Sequence, residues 1–209
     1  MALNAANIRV GAARIYMGTV APPSGNPLTF DANGVPLESD YATPSGTEVG
    51  LTEGEAVFTY EVTYLDVMAE QSLAIVGVFA TEENAQLEFT MKEITNDNIA
   101  AFLSSLAVET DGVGAGGLTD IFEGGHCGSD LSLTSLVLVA PACGVFPDTG
   151  TGSIEREYIM LFQAYQSESS ALRFTKGGEQ LMKVTYKGVA DLTRQSGRTL
   201  FQIGIERYA

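Results

Sequence analysis

The residues best suited to chemistry gather in Gly124–Asp130 (GGHCGSD), which holds the single histidine, His126, beside Cys127, Ser129 and Asp130. A catalytic thiolate needs an imidazole that reaches its sulfur, and a zinc site needs three or four converging ligands. Neighbours in an extended chain point to opposite faces, so His126 and Cys127 diverge, and only Cys143 and carboxylates remain to complete a ligand set. The stretch reads as an exposed glycine-rich loop. Gly112–Gly117 (GVGAGG) has the glycine content of a phosphate-binding turn, but such a turn follows a strand and opens a helix, whereas this one follows a helical pattern. There is no P-loop lysine, no nucleophile elbow and no EF-hand spacing of carboxylates. The expectation is a protein that is not an enzyme, with no cofactor and no metal. Cys127 and Cys143 are either a small disulfide loop or two apolar thiols.

What positions the polar residues is alternation with a period of two. In Glu55–Tyr64, Ala56, Phe58, Tyr60, Val62 and Tyr64 share one face and Glu55, Val57, Thr59, Glu61 and Thr63 the other, the mark of a half-buried strand. Ala85–Glu93 repeats it, with Leu87, Phe89 and Met91 against Gln86, Glu88, Thr90 and Lys92. Gln180–Val189 sets Met182, Val184 and Tyr186 against Lys183, Thr185 and Lys187. Further strands are expected at Val10–Met17, Leu73–Ala80, Leu131–Val139, Glu157–Tyr165 and Thr199–Glu206, all rich in β-branched or aromatic residues. Phe58, Tyr60, Tyr64, Phe89, Tyr158 and Phe162 are expected to be core aromatics. Glu55, Thr59, Glu61, Thr63, Gln86, Glu88 and Thr90 are expected to form a wet surface that avoids cations.

Within Ile94–Ala107, Ile99, Phe102, Leu103 and Leu106 recur at helical spacing, predicting one helix over about 95–107 that docks its stripe on a sheet. The predicted fold is mainly β: two packed antiparallel sheets, one flanking helix, and long loops, in a single domain over 1–209. Gly18–Glu53 carries five of the seven prolines and reads as a long loop or extended hairpin. Asp111–Gly128, with seven glycines, reads as a surface loop inside a glycine-rich insertion at 111–154 that also contains a strand.

Charge is unevenly placed. The chain has 209 residues and a formal charge of −15, and between Ile15 and Glu155 it carries 21 Asp and Glu against one base, Lys92. Both ends are net positive. Such a field disfavours binding of nucleic acid or anionic membrane through basic patches, and no apolar run approaches the ~20 residues that span a bilayer. The start, MALNAANIRV, lacks the look of a secretory leader.

The strand EAVFTYEVTYLDVMAEQS, the turn and strand ATEENAQLEFTMKEITNDNIAAFL, and the closing pair LMKVTYKGVAD and GRTLFQIGIE together resemble the tail tube proteins, or major tail proteins, of long-tailed bacteriophages with non-contractile tails. The resemblance covers roughly 7–107 and 155–207. It implies a virion protein, assembled in the host cytoplasm, whose six copies close into a ring lined by a continuous β-barrel, with rings stacked into the tube through which DNA is ejected. Implied partners are further copies of the chain, a tape measure protein, a tail terminator and tail-tip proteins. Lumen-facing candidates are Glu55, Thr59, Glu61, Thr63, Gln86, Glu88, Thr90 and Lys92. Contacts between subunits or rings are expected from the N-terminal arm (1–9) and the 18–53 segment, through Arg9, Arg14, Pro22, Pro23, Asp31, Glu38 and Asp40. Alternatives are the tube of a contractile tail or secretion system, and a carbohydrate-binding or adhesin-like sandwich; the absence of tryptophan weighs against the last.

Overall fold

The computed structural model describes residues 13–23, 25–31, 35–38, 44–49, 52–68, 75–92, 107–111, 119–123, 133–140, 155–167, 172–173 and 181–207. Among the described residues thirteen strands run in chain order: β1 (Arg14–Met17), β2 (Thr29–Phe30), β3 (Pro36–Leu37), β4 (Thr47–Glu48), β5 (Thr52–Met68), β6 (Ile75–Met91), β7 (Ala107–Asp111), β8 (Thr119–Glu123), β9 (Thr134–Ala140), β10 (Glu155–Gln166), β11 (Leu172–Arg173), β12 (Leu181–Val189) and β13 (Phe201–Arg207). Nine join one antiparallel sheet in the order β4-β1-β9-β10-β12-β6-β5, with β11 on β12 and β13 on β10, while β2–β3 and β7–β8 form separate two-stranded pairs.

The two layers expected from the sequence come from one sheet. The first part of β10 pairs with β9 and β13, and its end, Gln163–Gln166, pairs with β12. A register shift between Leu161 and Ala164 lies between these partners, and bulges of this kind bend a strand. Ile15 and Met17 of β1 and Leu136 and Leu138 of β9 thereby share one core with Ala85, Leu87, Phe89 and Met91 of β6 and Met182, Val184 and Tyr186 of β12. The intervening residues Tyr16, Val137 and Val139 point into a second core with Tyr158, Met160 and Phe162, closed by Leu28 and Phe30. Both faces of β1 and of β9 over Leu136–Val139 are buried, which is why that part of β9 (LVLV) is continuously apolar instead of alternating.

Ala21, Leu28, Phe30 and Val35 of the proline-rich segment pack on this second core. Leu28 N–H donates to the Tyr158 hydroxyl at 2.9 Å, Arg194 donates to Pro22 O at 2.8 Å and Gln202 to Asn26 O at 2.9 Å. Tyr158 reaches Leu28 across Gly204, its partner in the β10–β13 ladder, where a Cβ would stand 2.4 Å from the phenol.

Three expectations change. No helix occurs among the described residues, so the flanking helix is not borne out; Ile99, Phe102, Leu103 and Leu106 lie outside them, and Ala107 begins strand β7. The glycine-rich stretch read as a loop contains β8, paired to β7 over five residues. Leu73–Ala80 and Ala85–Glu93, expected as separate strands, belong to one strand, β6, which with β5 forms a hairpin of two 17-residue strands, each ~55 Å long at ~3.3 Å per residue, while the 18–53 segment holds the short hairpin β2–β3.

Candidate functional site

The β5–β6 hairpin divides in two. In its proximal half the side chains alternate between two faces as expected from the sequence. Val57 pairs with Glu88, Thr59 with Gln86 and Glu61 with Asn84, so these side chains share a face, while Phe58 pairs with Leu87 and Tyr60 with Ala85 on the other. The next strand extends both faces: Lys183 pairs with Thr90, Thr185 with Glu88 and Lys187 with Gln86. Glu55 sits where the register shifts between Glu53 and Val57. That shift adds two residues to β5 and keeps the alternation in phase, and its tight backbone uses Gly54 at φ 76°, a conformation glycine adopts without the Cβ penalty.

Glu55, Thr59, Glu61, Thr63 and Lys92 are exposed, and Gln86, Glu88 and Thr90 are half-buried. All eight lumen candidates fall on or directly beside this face. It does not avoid cations, however: Lys183 Nζ lies 2.8 Å from Glu88 Oε1, and Lys187 stands on the same face. A lysine on a neighbouring strand lies diagonally within reach of such a carboxylate, which pattern reading along single strands does not reveal.

The distal half behaves differently. A register shift between Thr63 and Tyr64 leaves Thr81 as an extra residue on β6, with its hydroxyl donating to Thr63 O at 3.1 Å. Beyond it only these two strands continue among the described residues, and both faces are exposed. Tyr64, Met68, Val78 and Ile75 lie on one side and Leu65, Val67 and Phe79 on the other; Tyr64 and Phe79 are each 62% exposed and Met68 64%. Asp66 is the single charged residue in 64–68 and 75–80. Tyr64, expected in the core, is thus surface, and Tyr60 is 42% exposed although its ring meets Phe201 at 4.9 Å. Phe89, Tyr158 and Phe162 are buried as expected. The sequence signal for this patch is the run of apolar residues at both parities between Tyr64 and Ala80.

β5 is also the edge of the sheet along its full length. It contains no lysine or proline, the residues that commonly blunt such edges. The opposite edge is closed by β4, which is two residues long.

The candidates in 18–53 are tied into their own chain. Pro22 is buried, Pro23 exposed, and Asp31 accepts the Val35 N–H at 2.8 Å within the β2–β3 turn. Glu38 lines a hollow with Pro22, Pro23, Pro27 and Leu37. Arg14 makes a two-pronged bond to Glu48, Nε to Oε1 at 2.6 Å, which raises its pKa chiefly through that hydrogen bond. Arg9 and Asp40 lie outside the described residues, as do His126, Cys127 and Cys143. Among the described residues no three His, Cys, Asp or Glu side chains converge as metal ligands, and no helix is long and apolar enough to cross a membrane.

No protein-family model matches the chain, and no curated protein matches it significantly.

Proposed function

We infer that this chain is a structural subunit that builds a hollow tube, the tail tube of a long-tailed, non-contractile phage, by closing into six-membered rings that stack. The observation that carries the reading is the β5–β6 hairpin: a 17-residue sheet edge without lysine or proline, continuing into a projection whose large apolar side chains are exposed on both faces. An exposed edge and an exposed apolar patch of this size are both liabilities in a lone protein and are both removed by other copies of the same chain. With Val76, the eight large apolar side chains of the projection expose roughly 800 Å², about what one partner buries in a specific interface. The proximal half supplies the other requirement of a conduit wall, a strand set with one face in the core and one in water. In this reading DNA travels along the polar face without sequence-specific contacts, and the tape measure, terminator and tip proteins meet the tube at its bore and ends.

The test is electron microscopy of the purified protein at rising concentration, with salt added to screen its charge. Six-fold rings or stacked hollow tubes are expected. A monomer at every concentration that instead binds glycans would overturn the reading in favour of an adhesin-like module.

A further inference from the structure

The proline-rich segment forms a hollow of about 130 Å³ walled by Pro22, Pro23, Pro27, Leu28 and Leu37, with Glu38 the one charged residue of its lining. A cavity of ~150 Å³ holds a benzene molecule, so this hollow has room for a single aromatic ring. It is built rigidly. Each proline fixes its own φ, Leu28 is buried with its N–H on the Tyr158 hydroxyl, and Arg194 holds the Pro22 carbonyl at 2.8 Å. Glu38 is half-buried, and among the described residues no hydrogen bond or ion pair engages its carboxylate. Apolar walls beside one unengaged acceptor are complementary to a phenol, whose ring is apolar and whose hydroxyl is a donor.

We propose that the hollow seats the Tyr64 ring of a second copy of the chain, with the Tyr64 hydroxyl donating to the Glu38 carboxylate. The proposal rests on the tube reading for its partner. Three aromatic side chains are exposed among the described residues: Tyr60, Tyr64 and Phe79. The Tyr60 ring already packs on Phe201, and Phe79 has no donor for Glu38. Tyr64 stands at the register shift where the two-stranded projection begins, 62% exposed and therefore not seated in the hollow of its own chain. Docking it lays the apolar projection, with its roughly 800 Å² of exposed side chains, against the neighbour. Knob and hollow lie on different elements, so the contact is heterologous: it joins copies head to tail and yields a ring when the rotation closes.

The experiment follows assembly of the purified full chain by sedimentation velocity across a dilution series. Y64S removes the knob, and E38R places a long cationic side chain in the hollow; each should raise the assembly threshold by about 100-fold. Mixed at equal amounts between the wild-type and variant thresholds, the two should form heterodimers and nothing larger. The intact Tyr64 of E38R meets the intact hollow of Y64S, while every other junction is broken. Y64F keeps the ring and loses the donor. It should raise the threshold by about tenfold, as should E38A, and Y64F/E38A by no more than either, because both delete one bond. This milder cycle carries the test if Y64S or E38R fails to fold. Wild-type thresholds for Y64S or E38R, a mixture that stays monomeric, or Y64F and E38A effects that multiply would each overturn the proposal. Microscopy of the same samples separates the two readings. Six-fold rings formed equally well by Y64S and E38R refute only this contact, and Tyr64-dependent open chains without rings refute only the tube. A wild-type monomer at every concentration refutes both.

Discussion

Replacing Phe79 by serine tests whether the distal hairpin is a docking element. Phe79 is 62% exposed on a two-stranded projection, so within the free chain its ring has little packing to lose and the folding stability should move by no more than ~0.5 kcal/mol. Its exposed area is about 125 Å², taking ~200 Å² for a whole phenylalanine side chain. At ~25 cal/mol per Å², covering that area contributes about 3 kcal/mol per contact. Losing it should raise the concentration needed for assembly by about two orders of magnitude, at 1.4 kcal/mol per decade. Sedimentation velocity across a dilution series reads the threshold, and denaturant unfolding of the same protein reads stability. Leu192→Ser is the matched control, because Leu192 is 87% exposed but lies in the β12–β13 turn. The reasoning fails if F79S assembles at the wild-type threshold, if L192S weakens assembly as much as F79S, or if F79S unfolds several kcal/mol more easily, which would mean that the ring packs within its own chain.

Further outcomes follow from the two cores. Gly204→Ala places a methyl group 2.4 Å from the Tyr158 phenol and should cost about 1–3 kcal/mol by overpacking, read by denaturant titration. Tyr158→Phe removes the acceptor of the Leu28 N–H and should cost about 1 kcal/mol, with faster proteolytic cleavage in 19–38. Arg194 lies 3.7 Å from the Phe162 ring centroid and bonds Pro22 O. Arg194→Ala should therefore release the same segment to protease, and Arg194→Lys should restore protection only in part because an ammonium cannot keep the flat stacking geometry. Burial raises the Tyr186 hydroxyl well above its ordinary pKa. Its neutral form thus favours the folded state, a contribution fully present below pH ~10 and lost as pH rises beyond it, where the unfolded chain gives up the proton first. Tyr186→Phe should flatten the fall in stability above pH 10, and an unchanged alkaline slope in thermal melts would refute that account.

Local pattern sufficed wherever one face of a strand is buried. The alternation of Phe58, Leu87, Phe89, Val184 and Tyr186 fixes which side chains enter the core, because a one-residue slip would turn every one of them to water. It equally placed Glu61, Thr59, Gln86 and Glu88 on one polar face. Alternation breaks at Thr81, and the single extra residue there inverts the phase of β6. Leu73–Ala80 and Ala85–Glu93 consequently read as two strands in sequence although they are one. The same inversion hid the apolar projection, since a strand flanked by apolar residues at both parities looks like a buried one until the neighbouring strands are known to stop short of it.

Composition established that the chain is acidic, and alternation along the chain that it is mainly β. Only the tertiary structure decided three things. It turned the proline-rich segment back onto Tyr158 and Phe162, because the outer face of β9 and β10 is apolar and had to be covered. It brought Lys183 to Glu88, a contact between strands nearly a hundred residues apart that no spacing along one strand encodes. It left β5 at the edge, because strand order is set by which ladders close over the shared core, and the edge is where the chain's own hydrogen bonds run out.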